Sequence, residues 1–167
     1  GDLLQLPLPP ASVDLLLALD SLDQVGIDLK QALGEAWRVL RADGLLLLRV
    51  SAHARLQGAH DAGFNTGHRY ALAELLNDLE YTGYDTKRIS YANTLLAPPT
   101  VALRLLDRLR NREMPTQRAS AIYASSIANQ AIHAALSLEA IWLRRANLPN
   151  GLSLLVLAAK RGNAAGE

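Results

Sequence analysis

The chain has 167 residues, half of them hydrophobic and 20% charged, which fits one globular domain and is too short for two ordinary ones. Seventeen Lys and Arg against sixteen Asp and Glu leave a net charge of +1, so the overall charge does not favour a nucleic-acid-binding protein. The absence of cysteine excludes disulfides, thiolate metal sites and a cysteine nucleophile, and it fits a cytoplasmic protein.

The first half of the chain predicts a strand, a helix and a second strand, in that order. Residues 13–19 are a short apolar run, which is typical of a strand covered on both faces. Apolar residues then recur at helical spacing after Asp28, a predicted N-cap, and we expect Asp43 and Gly44 to end that helix. Residues 45–50 are a second buried strand. This order forms a βαβ unit, whose two strands are parallel.

The second half alternates helices and strands. Leucines at helical spacing predict a helix that Gly83 closes, and an apolar run predicts a buried strand near the C-terminus. This alternation predicts the α/β class with a three-layer sandwich. The predicted elements are a helix at 72–79, a more exposed strand at 84–91, helical stretches at 98–109 and 120–145, and a strand at 152–159.

A polar, glycine-rich loop between residues 51 and 69 holds three of the four histidines. Long loops after a strand often carry function, and a histidine there can act as a general base. Histidine and aspartate also bind metals, but spacings of seven and eight residues match no compact metal signature. The plain alternative is a surface loop whose polar side chains make local turn hydrogen bonds. The candidates are His53, His60, Asp61 and His68, beside Arg69 and Tyr70 as substrate contacts, or Tyr70 as the hydrophobic staple of the next helix.

Two further features have both a structural and a functional interpretation. Five arginines between residues 104 and 118 accompany only two carboxylates, a local charge of +3. This stretch, predicted to be partly helical, has three interpretations. It lies on an anionic membrane surface, binds a hydrophobic phosphorylated substrate, or packs on the core with its arginines in solvent. Trp37 and Trp142 are most simply core residues, and His133 is expected to be a packed or snorkelling helix residue.

Five stretches of the sequence, taken in order, resemble one family. They are residues 1–20, residues 35–48 with their Arg-Val-Leu-Arg turn, the pairs 60–61 and 69–70, and residues 148–153 before the last strand. These stretches resemble the class I S-adenosylmethionine-dependent methyltransferases that act on small molecules. The resemblance implies a three-layer, Rossmann-like methyltransferase fold, of which this chain is the C-terminal portion, strands four to seven without the first three.

The resemblance also implies roles for individual residues. The methyl donor S-adenosylmethionine would contact Asp2 through its adenine amino group and Leu3 through its adenine ring, with Asp20 and Ser21 at a strand's end. The acceptor would be a small or lipid-like molecule. Residues 95–147 resemble the family's helical lid, inserted in a single partial domain over residues 1–167. The catalytic candidates are His60, Asp61, His68 and Tyr70, with His60 or His68 as the base if one is used.

One part of the family's pattern is missing from the sequence. The family holds its donor with a Gly-rich loop after its first strand, but no two of the eleven glycines here are separated by a single residue. We therefore expect that a preceding segment has been removed or was never part of this chain. The strand at residues 13–19 is then an unpaired edge, which predicts a homodimer through that edge or a rearranged terminus. The alternative to a methyltransferase is a non-catalytic, self-associating remnant of the fold that does not bind the donor.

Overall fold

A computed structural model describes residues 2–56, 65–102 and 126–162. In these ranges four strands form one sheet in the order β1-β2-β4-β3. A short 3-10 helix, Ala54–Leu56, follows β2. The elements in chain order are β1 (Val13–Leu19), α1 (Leu29–Val39), β2 (Leu40–Ser51), α2 (Leu72–Tyr81), β3 (Tyr84–Ala92), α3 (Ser126–Leu143) and β4 (Ser153–Lys160).

The strand directions bring three carboxyl ends to one edge of the sheet. β1 pairs with β2 in parallel, as the βαβ pattern predicted, with Leu16 opposite Leu46. β4 runs antiparallel between β2 and β3, so β3 has the same direction as β1 and β2. The ends of β1, β2 and β3 and the start of β4 therefore lie together. The predicted Rossmann-like α/β class is confirmed.

The junction between α1 and β2 differs from the sequence-based prediction. Asp28 caps α1 as expected, its Oδ1 accepting a hydrogen bond from the Gln31 N–H at 3.1 Å. The helix ends at Val39, however, and β2 begins at once, because the turn predicted to end the helix lies inside the strand. Asp43 has a φ of 60°, and a Cβ on Gly44 would lie 2.9 Å from the Arg41 carbonyl oxygen. These residues form an irregularity where the β1–β2 register shifts.

The two faces of the sheet differ in burial. On the inner face, alternate residues of β2 and β4 are fully buried and share one core cluster with apolar residues of α1 and α2. On the outer face, the prediction that β1 is covered on both sides is wrong, because its leucines stay exposed: Leu15 by 49%, Leu17 by 57% and Leu19 by 48%. The inner-face residues are Leu46, Leu48, Val50, Leu154, Val156 and Ala158.

The N-terminal segment is fastened along α1 by an ion pair. Arg38 donates to both carboxylate oxygens of Glu35, at 2.7 and 2.8 Å, and also to the carbonyl oxygens of Leu6 and Leu8. The Leu6 N–H donates to Glu35 at 2.9 Å. The Arg38 hydrogen bonds, helped by the Leu6 N–H, lower the pKa of Glu35 to about 2. The segment before β1 is thus held to the helix by charged side chains.

The helical part before β4 is described only at its two ends. Residues 97–102 are helical, and α3 begins at Ser126, while residues 103–125, with the arginine-rich stretch, lie outside the described ranges. The expectation that Trp142 is a core residue is wrong, because its side chain is 61% exposed on α3. Trp37 packs against the core under the Lys160 ammonium, 3.8 Å from the ring centre. No helix in the described ranges is long and apolar enough to span a membrane.

Candidate functional site at the strand ends

Each of the three parallel strands is followed by a residue in the left-handed conformation. Asp20 (φ 51°) follows β1, His53 (φ 62°) comes two residues after β2, and Asn93 (φ 60°) follows β3. Asp, His and Asn adopt this conformation more readily than other non-glycine residues. Residues in this conformation are nevertheless concentrated at functional sites. In open α/β sheets ligands bind outside the carboxyl ends of the strands. This edge is therefore the candidate site.

The predicted donor-binding residues lie in two places. Asp20 is held at the end of β1 by Arg49, whose Nε donates to its Oδ1 at 2.8 Å. Ser21 follows it and is half-buried. Asp2 and Leu3 belong to the segment before β1, where the exposed Asp2 carboxylate accepts from the Leu4 N–H at 2.9 Å and Leu3 packs against the core.

Asp23 is a structural centre of this edge that the sequence did not single out. Its carboxylate is almost fully buried and accepts from the Ser51 N–H at 2.9 Å, which joins the end of β2 to the loop after β1. Its carbonyl oxygen accepts from the N–H groups of Gly67 and His68, at 2.8 and 3.2 Å. One aspartate thus fixes three segments around the strand ends.

His68 is oriented by a carboxylate. Its Nε2 lies 2.9 Å from Glu74 Oε1, and its ring meets Tyr70 edge-on, with 4.4 Å between ring centres. Glu74 also caps α2, since its other oxygen accepts from the Ala71 N–H at 3.2 Å. The Nε2–H that donates to Glu74 leaves Nδ1 as the basic nitrogen of the neutral ring.

Tyr70 is buried and its hydroxyl donates to the Leu22 carbonyl oxygen at 3.4 Å. Burial, reinforced by nearby carboxylates of which Glu74 contributes most, raises the pKa of Tyr70 to about 12. The phenol is therefore protonated at neutral pH and can donate a hydrogen bond but cannot act as a base. Tyr70 also shares the core cluster with Leu75, four positions after the cap of α2, as a hydrophobic staple requires.

His60 and Asp61 lie outside the described residues, so their predicted roles stay predictions. Among the residues that the structure describes, no three His, Asp or Glu side chains are placed to hold a metal ion together.

His53 contacts a residue close to the start of β4. Its Nε2 lies 2.9 Å from Asn150 Oδ1, and its ring stacks on Tyr91 with 5.5 Å between centres and 10° between planes. The sequence marked His53 as one of several loop histidines, but its partner is 97 positions away. In the sequence, Asn150 stood out only as part of the stretch 148–153 before the last strand, so no sequence signal joined it to His53.

The α3 helix reaches the same edge through a buried glutamate. Glu139 accepts from the N–H groups of Asn93, Thr94 and Leu95, the last two at 2.7 and 3.3 Å. Thr94 in turn donates its hydroxyl to the Asn150 carbonyl oxygen. Glu139 was also missed by the sequence analysis, because a lone glutamate in an alanine-rich helix predicts a solvent-exposed residue.

The comparisons with known proteins agree with this geometry. Residues 1–48 match the family model described as a methyltransferase domain. No curated protein matches the sequence. The matched part contains Asp2, Leu3, Asp20 and Ser21 together with β1, α1 and most of β2.

Solved structures of low sequence identity share the fold. A possible histamine N-methyltransferase from Thermotoga maritima has a TM-score of 0.56 at 14% identity, over 96% of this chain and 62% of that one. A putative methyltransferase from Bacillus halodurans has a TM-score of 0.57 at 14% identity, over 96% and 70%. The cyclase SpnF has a TM-score of 0.54 at 18% identity, over 98% and 56%.

The fold is therefore that of the class I S-adenosylmethionine-dependent methyltransferases, and the resemblance found in the sequence is confirmed. The chain spans only 62% of the length of the Thermotoga maritima protein and 56% of the length of SpnF.

Proposed function

We propose that this chain is part of an S-adenosylmethionine-dependent methyltransferase that acts on a small or lipid-like acceptor. The observation that carries the proposal is the match of residues 1–48 to a methyltransferase domain, within a chain that has the fold throughout its described ranges. The fold alone would not be enough, since it also occurs in the cyclase SpnF.

The donor would lie against the residues on either side of β1. The exposed Asp2 carboxylate uses one oxygen for the Leu4 N–H and has a second for the adenine amino group, while Leu3 offers an apolar surface to the ring. Asp20 and Ser21 would line the same donor at the strand end, with Asp20 held in place by Arg49. S-adenosylmethionine supplies an electrophilic methyl group when bound. Together these residues would form one wall of a donor site.

On the acceptor side, His68 is the described residue best arranged to take a proton. Glu74 fixes its ring and leaves Nδ1 free to accept, which is the arrangement a general base needs. Tyr70 packs edge-on against this ring, and its hydroxyl already donates its proton to the Leu22 carbonyl oxygen. His60 and Asp61 would complete the proposed acceptor loop, and residues 95–147 would form its lid.

A second candidate is a non-catalytic remnant of the fold that associates with itself through the β1 edge. The observation that favours it is the row of exposed leucines on β1, the terminal strand of the described sheet, with its unpaired edge. In such a homodimer the β1 edges of two copies would pair, and the donor would not bind.

Calorimetry of the chain with S-adenosylmethionine tests the proposal. We expect micromolar binding that Asp2→Asn weakens at least about tenfold, because a hydrogen bond to a charged group is lost. Asp14→Asn is the control, since Asp14 is an exposed carboxylate paired with Arg41 within the same strand region. No detectable binding, together with a dimer in analytical ultracentrifugation, would support the remnant instead.

A further inference from the structure

His53 is fixed in one tautomer by its surroundings. Asn150 Oδ1 lies 2.9 Å from His53 Nε2 and also 2.9 Å from the Gly151 N–H. A backbone N–H can only donate, so Asn150 presents its oxygen to both partners, and Nε2 of His53 must carry a proton. In the neutral ring Nδ1 then has a free lone pair. Among the backbone groups and side chains that the structure describes, none is a hydrogen-bond partner of Nδ1.

The ring is also held in position. It is half-buried and stacks on Tyr91 of β3, while its backbone has the left-handed conformation found at all three strand ends. An imidazole with a fixed ring and a fixed proton can present a hydrogen-bond acceptor in one direction only. Such fixed groups at the carboxyl ends of parallel strands are typical of ligand contacts.

The partner of His53 is itself supported from two sides. Thr94 donates to the Asn150 carbonyl oxygen, and Glu139 of α3 holds the Thr94 N–H at 2.7 Å. A Cβ on Gly151 would lie 2.3 Å from the Ala92 carbonyl oxygen, so the chain after Asn150 packs directly on β3. Asn150, which fixes the tautomer of His53, is thus linked through Thr94 to Glu139 of α3.

We propose that Nδ1 of His53 accepts a hydrogen bond from an O–H or N–H group of the methyl acceptor, which makes His53 a binding residue that selects acceptors carrying such a proton. This inference rests on the proposed methyltransferase function for the identity of the ligand. It differs from the role of His68, which would take the proton, whereas His53 would orient the group that carries it.

The tautomer is measured first, by long-range proton–nitrogen correlation spectra of the ¹⁵N-labelled chain. In the neutral ring we expect the proton on Nε2 of His53. Asn150→Ala should give a mixture of tautomers, while Asn150→Asp, which keeps an oxygen acceptor, should retain the Nε2–H form. His133, exposed on α3, is the internal control and should be unaffected. A proton on Nδ1 in the unaltered chain would overturn the proposal.

The ligand contact is then probed with phenol and with anisole, its methyl ether, which lacks the O–H group. We expect phenol to shift the Nδ1 resonance of His53 and anisole to leave it unchanged. Asn150→Ala should weaken the phenol effect about fivefold, as expected for the loss of one well-oriented hydrogen bond. Equal shifts from both probes, or none from phenol, would contradict the proposal.

These measurements need no bound donor, so they can refute the binding role of His53 without refuting the proposed methyltransferase function. A chain that binds no S-adenosylmethionine in calorimetry but distinguishes phenol from anisole at His53 would contradict the methyltransferase proposal and support the binding role of His53. A chain that binds the donor but does not distinguish phenol from anisole at His53 would support the methyltransferase proposal and contradict the binding role of His53.

Discussion

The inner and outer faces of the sheet are built from the same kind of residue and have opposite environments. Leu46 and Leu48 of β2 are fully buried under the helices, whereas Leu15 and Leu17 of β1 stay about half exposed. The difference lies in the face, since Ala18 of the same strand β1 is buried on the inner face, where α1 and α2 pack. A leucine run thus predicts a strand without predicting which side of it will be covered.

The comparison also separates stability from association. Buried area on the inner face stabilises the fold of the single chain, because these side chains leave water when the chain folds. The outer leucines of β1 remain in water in the single chain, and a face of this kind is typical of a surface covered by another polypeptide. The same residue type should therefore give different results in folding and in association experiments.

The largest expected effect is a difference in stability between the two faces. Leu48→Ala removes a fully buried side chain and should lower the free energy of unfolding by about 2–5 kcal/mol. Leu17→Ala, on the outer face, should change it by less than about 0.5 kcal/mol. Urea denaturation of both variants checks this. Equal losses would mean that the outer face is covered in solution.

The second effect concerns association through β1. Leu17→Lys places a charge on the exposed edge strand, where a second copy would have to bury it. We expect the dimer dissociation constant to rise about a hundredfold or more, because an unpaired charge would be buried at the interface. Sedimentation over a range of protein concentrations measures it. An unchanged dimer would exclude this edge as the contact, and unaltered urea unfolding of the monomer is the control.

The smallest effect concerns the attachment of α1, one of the helices that cover the inner face. The pKa of Glu35 is lowered to about 2 in the folded chain from 4.5, so its contribution to stability is present above pH 4.5 and is lost as the pH falls toward 2. Glu35→Gln should therefore melt at a lower temperature than the unaltered chain at pH 7, and this gap should close near pH 2. Melting curves by circular dichroism at both pH values measure it.

Glu80→Gln is the matched control for that series, since Glu80 is exposed on α2 and has no ion pair among the residues that the structure describes. The assigned role of the Glu35 carboxylate would be contradicted if the melting temperature of Glu35→Gln differed from that of the unaltered chain by the same amount at both pH values. An equal pH-dependent difference for Glu80→Gln would also contradict it.

Local pattern predicted most of the elements. The cap at Asp28 and the closure of α2 near Gly83 were expected from residue types with a direct backbone role, and both occur. The start of β2 was placed five residues late, because Asp43 and Gly44 are turn residues that here form an irregularity inside a strand. Whether such a pair ends an element or bends it depends on the neighbouring strand, which local sequence does not specify.

The candidate site was predicted less well than the fold. The residues next to strand ends, such as Asp20, could be expected at the site because all parallel strands end at one edge. The pairing of His53 with Asn150 and the anchoring of Asn93 and Thr94 by Glu139 could not, since these partners lie far apart in the chain. Trp142 was expected in the core only because tryptophan is usually buried, and α3 presents it outward.

By itself the sequence determined the α/β class, the alternation of strands and helices and the family resemblance, because these depend on residue spacing within short segments. Only the tertiary structure decided which leucines are covered, which histidine is held in a single tautomer and which carboxylates are buried. Those properties arise from contacts between segments distant in the chain, and their energies depend on the water that such contacts exclude.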